Sequence, residues 1–117
     1  MSASKEARAV ADAQLVAYNT QDMEAYLALF HADAVLINLP VQHVVAEGLG
    51  AIREMYTERF ATPGLRCEVH HRSEIGNIAI DRETVHTTGN PPVDILAMYE
   101  VTGGKIKRIF FIRGGVL

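Results

Sequence analysis

The stretch Ala17-Tyr18-Asn19-Thr20-Gln21-Asp22-Met23-Glu24-Ala25-Tyr26-Leu27-Ala28-Leu29-Phe30-His31-Ala32-Asp33-Ala34-Val35 decides the fold. It reads as the end of one helix, a tight corner, a short second helix, a turn and the start of a strand. Asn19 can adopt the left-handed conformation that stops a helix, and Asp22 or Thr20 can accept the orphan amide protons that open the next one. Met23, Tyr26, Leu27 and Phe30 fall at i, i+3, i+4 and i+7, the apolar stripe of a short helix ending near His31 or Asp33. Upstream, Ala7, Val10, Ala11, Gln14, Leu15 and Tyr18 recur at helical spacing, with Glu6, Arg8 and Asp12 largely on the other side, so the first helix is amphipathic.

Downstream of the corner, residues 35–39 are apolar and β-rich, and Pro40 forbids a continued ladder; a loop is expected after it. Leu49, Ile52, Tyr56 and Phe60 mark a third helix, which Thr62-Pro63-Gly64 breaks. Residues 66–74, 78–87, 93–101 and 105–113 then read as strands, divided by Ile75-Gly76-Asn77, by Gly89-Asn90-Pro91-Pro92 and by Gly103-Gly104. Helices that precede a mostly antiparallel sheet make an α+β fold, with three helices closing one face of a curved sheet.

The chain has 117 residues, 49% of them hydrophobic, enough for one domain over residues 1–117 that buries roughly two thirds of its unfolded surface. A net charge of -3 provides no positive field for a phosphate backbone, so nucleic acid is not an expected partner. Cys67 stands alone, which removes internal disulfides and cysteine metal clusters and fits a reducing compartment. Lys5, Glu6 and Arg8 interrupt the N-terminal stretch, and no run approaches ~18 apolar residues. A cytoplasmic protein with no membrane partner is expected. There is no His-Glu-x-x-His, phosphate loop or dinucleotide fingerprint, so no cofactor is implied. Gly48 and Gly50 enter a helix and supply backbone freedom. His70 and His71, as strand neighbours, should point to opposite faces and so cannot chelate one ion; no metal site is expected.

The Ala17–Val35 corner, the segment Glu47-Gly48-Leu49-Gly50-Ala51-Ile52-Arg53-Glu54 and the closing hairpin Tyr99-Glu100-Val101-Thr102-Gly103-Gly104-Lys105-Ile106 together resemble the nuclear transport factor 2-like, or SnoaL-like, superfamily. The resemblance spans residues from about 5 to 113 and implies a cone-shaped pocket, in a superfamily that houses isomerases, dehydratases, cyclases, hydrolases and inert binding modules. Matching these segments without gaps to its ketosteroid isomerases puts Gln14 where they carry a tyrosine, Leu39 at the base and Leu96 at the late-strand acid. Neither leucine can exchange a proton, so isomerisation of ketosteroids by that mechanism is not expected. The same matching turns Ile80, Arg82, Thr84 and His86 inward on the second long strand, Asp94, Leu96 and Met98 on the third, and Ile109, Phe111 and Arg113 on the last. It implies a ligand pocket of Gln14, Tyr18, Asn38, Tyr56, Leu96, Met98 and Arg113, with His86 as proton carrier and Arg82 or Arg113 holding an oxyanion.

Each of these residues has a structural reading beside the functional one. Tyr56 fits a core aromatic, Asn38 a turn former before Pro40, Arg113 a surface charge, and His86 a satisfied structural histidine. A bulge near Asn77 would invert the face, turning Asp81 and Glu83 inward as the acid-base pair and Arg82 and His86 outward. The function expected is binding, with cofactor-free acid-base turnover of the isomerase, cyclase or dehydratase type, of a small apolar ligand that bears a carbonyl or acid group; the alternative is a non-catalytic binding or accessory module. Superfamily members commonly pair through the outer sheet face, so a homodimer is expected through a stripe of Ile95, Ala97, Tyr99 and Val101.

Overall fold

The computed structural model describes residues 2–114. Helix α1 (Ala3–Asn19) opens on the Ser2 hydroxyl, which accepts from the Lys5 amide. Asp22 caps α2 (Met23–Leu27) by accepting from the Ala25 amide at 3.1 Å. The left-handed residue of the corner is Gln21, with φ of 51°, rather than Asn19, which stays helical. The Asn19 amide group is used elsewhere: it donates to the Cys67 carbonyl at 2.9 Å and accepts from the Cys67 amide at 2.7 Å, tying the end of α1 to a strand.

Strand β1 (Phe30–Asn38) starts earlier than residue 35, and α2 is shorter than its stripe. The cause is tertiary: the Ile106 amide donates to the Leu29 carbonyl at 2.7 Å and Phe30 pairs with Ile106, so the sheet captures backbone that the helix period would have kept. The loop expected after Pro40 contains a strand, β2 (His43–Glu47), which returns antiparallel to β1 with an irregularity at Leu36/Ile37. Helix α3 (Gly48–Phe60) is followed by β3 (Arg66–Ile75), β4 (Ile78–His86), β5 (Val93–Thr102) and β6 (Lys105–Arg113), close to their expected bounds. The sheet runs β2-β1-β6-β5-β4-β3; β1 and β6 are parallel and all other pairs antiparallel. The result is an α+β fold in which α1 and α3 cover the inner sheet face over Tyr26, Phe30, Leu36, Ile52, Tyr99, Ile106 and Ile109, all nearly inaccessible. Among the described residues no helix is long and apolar enough to cross a membrane.

Strand parity differs from the gapless match on two strands. Ile95, Ala97, Tyr99 and Val101 are the buried side of β5, and Ala79, Asp81, Glu83 and Val85 the buried side of β4. Hydrophobicity explains β5: one parity offers four apolar side chains, the other includes Asp94 and Glu100. Pairing of Asp81 with Ala97 and of Glu83 with Ile95 then obliges β4 to turn its carboxylates inward. The β3–β4 connection is a tight turn with Ile75 opposite Ile78, and the shift in that ladder lies instead between Val69 and His71. That bulge puts His70 on the outer face, where its Nε2 is 2.7 Å from Thr84 Oγ1, alongside His71, which pairs with Arg82. The two histidines therefore share a face, contrary to simple alternation. The stripe expected to pair two copies is core; the outward side carries Ile80, Leu96, Met98, Phe110 and Ile112.

Candidate functional site

Two carboxylates stand on the inner face of β4, and their surroundings differ. Asp81, fully buried, accepts from Arg72 of β3 through both oxygens, Nε–Oδ1 at 2.5 Å and Nη2–Oδ2 at 2.9 Å. Arg72 also pairs with Asp12 of α1, and Arg8 with Glu74, so ion pairs fasten the first helix across β3. Two pairs to one guanidinium hold the Arg72 pKa above its ordinary value. Glu83 is 6% exposed and has no ion pair among the described residues. Burial pushes its carboxyl up to about 7; the Cys67 thiol, donating to it, and Arg72 oppose the rise, and the Asp81 charge adds to it. The thiol is itself pushed up, first by burial and then by Glu83, so Cys67 is a weak donor rather than a thiolate nucleophile.

Above the carboxylates lies an aromatic cluster. The Tyr26 and Tyr56 rings are 4.6 Å apart, Tyr18 and Phe60 5.6 Å, and Tyr26 and Phe30 5.2 Å between centroids. The Tyr99 hydroxyl donates to Gln14 Oε1 at 3.3 Å, while the Tyr26 hydroxyl and Asn38 Oδ1 are buried without a hydrogen-bond partner among the described residues. Burial raises the pKa of Tyr18, Tyr26, Tyr56 and Tyr99, so all four are neutral donors. The Arg59 guanidinium opposes the rise at Tyr18 and Tyr56, Glu83 adds to it at Tyr56, and Arg113 opposes it there. Cross-strand rows order the floor: Val69, Glu83, Ile95 and Arg113 form one, and Arg72, Asp81, Ala97, Phe111 and Asn38 the next.

The residues named from sequence divide between the two faces. Gln14, Tyr18 and Tyr56 are buried under the helices, Asn38 faces in beside Phe111, and Arg113 takes the inward parity at an exposed strand end. Arg82 is exposed on the outer face and pairs with Leu96 and His71 in the ladders; His86, also outward, meets Glu68 at 3.2 Å. Leu96 and Met98 are outward as well, so the proton-carrier and oxyanion roles given to His86 and Arg82, and the pocket roles given to Leu96 and Met98, are corrected: these side chains do not reach the interior. The inward neighbours of Leu96, Ile95 and Ala97, are also without a titratable group. The inverted alternative, with Asp81 and Glu83 inside, is the one found. Arg59, Arg72, Cys67, Tyr26 and Tyr99 were not singled out for the site. The strict apolar alternation of Ile95, Ala97, Tyr99 and Val101 was the signal that could have found the parity, and Arg72 would have followed as the cation a buried Asp81 requires.

Concavities of about 190, 290 and 200 Å³ lie around Arg82, Leu96 and Ile112, between Val45 and Met55, and beside His31 and Lys107. None of these three is lined by Tyr56 or Glu83.

Residues 11–109 match a family model described as a SnoaL-like domain. A cystatin-fold protein from Novosphingobium aromaticivorans is similar at 31% identity and a TM-score of 0.82, covering 97% of this chain and 99% of that one. A Kribbella flavida protein described as a candidate ketosteroid isomerase has a TM-score of 0.88 at 16% identity, over 100% of this chain and 84% of that one. An LEH-like epoxide hydrolase from M. tuberculosis has a TM-score of 0.78 at 18% identity, over 95% and 84%. At such identities the last two share the fold alone. No curated protein matches the chain significantly.

Proposed function

Because the chain belongs to the SnoaL-like domain family, with residues 11–109 matched, we propose that it takes a small, largely apolar molecule bearing a carbonyl or acid group against the inner sheet face, and that Glu83 moves a proton on it without a cofactor. The observation that carries the reading is Glu83: a buried carboxyl without a cationic partner of its own, held near neutrality, is matched to general acid-base work at pH 7. Tyr56 and Tyr18, neutral and adjacent, are the donors for a developing oxyanion, and Arg113 stands at the end of the Glu83 row. Isomerisation of a ketone and opening of an epoxide, the activities named for two structural neighbours, both require a placed proton donor or acceptor. Ketosteroid isomerisation is not the proposed reaction, since Leu39 and the inward β5 residues Ile95 and Ala97 have no exchangeable proton.

The test is solvent deuterium exchange into the acidic C–H groups of a panel of ketones and keto acids, with the Glu83 carboxyl titrated by carbon-13 NMR. Exchange that disappears in Glu83→Gln supports the assignment. Exchange that persists in Glu83→Gln, or none with any of the panel, removes it.

A second reading, a non-catalytic binding or accessory module, is favoured by the close packing of the Tyr18, Tyr26, Tyr56 and Phe60 rings. We further propose a cytoplasmic homodimer that pairs through the outer face, where Ile80, Leu96, Met98, Phe110 and Ile112 lie side by side, Ile112 at 38% exposure. Sedimentation at micromolar concentration that shows only a monomer sinks the dimer.

A further inference from the structure

The sheet ends on β3 at one side and on β2 at the other, and the chain treats these two edges differently. Helix α1 lies along β3 and fastens side chains to it at intervals. The Ser4 hydroxyl donates to the Gly76 carbonyl at 3.0 Å, Arg8 pairs with Glu74, Asp12 pairs with Arg72, and the Asn19 amide group holds both backbone groups of Cys67. Cover of this kind keeps a further strand from adding to an edge. The β2 edge has none: among the described residues, no strand other than β1 and no turn or loop bonds to the backbone of His43–Glu47.

The open edge borders a groove. Helix α3 follows β2 directly, and between them lies the concavity of about 290 Å³, with Val45, Ala51 and Met55 as its apolar side and Glu54 and Glu58 as its rim. Val45 is the residue that the irregular β1–β2 ladder leaves without a partner on β1, and the bulge aims it at the helix. On the opposite face, Val44 is 46% exposed, and Val41 beside the strand is 76% exposed. Glu54 and Glu58 are one helical turn apart, a like-charge spacing that works against the helix. Both are exposed, and neither meets a cation among the described residues.

We infer that the groove between β2 and α3 receives an extended segment of a partner protein, added as a further strand to the free edge of β2, in which lysine or arginine alternates with apolar residues. The edge supplies main-chain hydrogen bonds to any sequence, and the groove selects the side chains. Alternate side chains of an added strand point to opposite faces. On the inner face, the stems of the basic residues lie on Val45 and Met55 and carry their charges to Glu54 and Glu58. Successive residues on one face of a strand are about 6.6 Å apart, close to the roughly 5–6 Å between helix residues one turn apart, so two cations meet two carboxylates. On the outer face, the apolar residues cover Val44. This surface is separate from the Glu83 site, and neither assignment depends on the other.

The test titrates the full chain with a short capped peptide of alternating lysine and valine, followed by calorimetry and amide NMR. The expected result is a Kd below about 1 mM, with slowed amide exchange over His43–Glu47 and shifts over residues 43–47 and 51–58. Affinity should fall about three- to tenfold in the Glu54→Gln, Glu58→Gln double variant, fall again with added salt, and stay at the parent value in Glu68→Gln on the outer face. Thermal melts check that the double variant, altered only at exposed positions, keeps its fold. The same peptide with N-methylated amides, which cannot form the ladder, and a glutamate–valine peptide should not bind. No binding at millimolar concentration, shifts centred elsewhere, binding by either control peptide, or an affinity unchanged in the double variant overturns the inference. So does protection of His43–Glu47 that rises with protein concentration in the absence of peptide, the mark of a second copy on that edge.

Discussion

Asp81 and Glu83 are alternate residues on one strand and one face, both buried, yet only Asp81 sits in an ion pair among the described residues. The difference is Arg72. At Asp81 the sheet register puts a guanidinium directly across the ladder, and both oxygens are satisfied. One row further on, the residue across from Glu83 is Val69, and Arg72 acts on that carboxyl only from the next row, without an ion pair among the described residues. A single cross-strand neighbour thus decides whether a buried carboxyl on this strand sits in an ion pair.

The comparison breaks first if Arg72 is removed. Arg72→Leu should cost about 3–5 kcal/mol, because it leaves the Asp81 charge buried and unpaired, and denaturant unfolding would measure it. The reciprocal change at the other carboxyl should stabilise. The folded pKa of Glu83 lies above its unfolded value, so the native state holds a proton that the unfolded chain has released, and stability falls as pH rises from about 4.5 to about 7. Glu83→Gln should therefore unfold at nearly the same denaturant concentration as the parent at pH 4, and be more stable by up to about 3 kcal/mol at pH 8. A parallel pair of pH profiles would show that Glu83 is not perturbed. Smaller again, Asn19→Ala removes two hydrogen bonds to the Cys67 backbone and should cost about 1–2 kcal/mol, loosening the α1 end of the same wall. Arg82→Met, on the opposite face of the same strand, should change stability by no more than about 0.5 kcal/mol and leave the Glu83 titration where it is. An effect on that titration would mean that the two faces of β4 are coupled.

Local patterns made the helices and the late strands legible. The α3 stripe, the corner at Asp22 and the glycine turns act within a few residues, so the chain itself displays them. β2 was not legible, since His43–Glu47 is a strand only because β1 offers it a partner. The early start of β1 at Phe30 likewise depends on Ile106, far away in sequence. For the site, Tyr18, Tyr56 and Gln14 were found on helical spacing, which fixes their direction. The β4 residues were assigned to the wrong face because both parities of that strand hold charges, Asp81 and Glu83 against Arg82 and His86, and hydropathy alone gives no preference. The preference belonged to β5, transmitted across the ladder.

The sheet order β2-β1-β6-β5-β4-β3 has a consequence for the order of assembly. On a ribosome, β1 and β2 are made early and can close their hairpin, and β3, β4 and β5 can zip together as a meander, but these two pieces share no strand. Only β6, made after all of them, inserts between β1 and β5 and joins the halves. Until it does, two strand edges stand open to other nascent chains. Long-range parallel pairing of β1 with β6 is the kind of contact that closes slowly, and a chain stalled before Lys105 would hold two half-sheets joined by no strand, linked only through the packing of α1, α2 and α3.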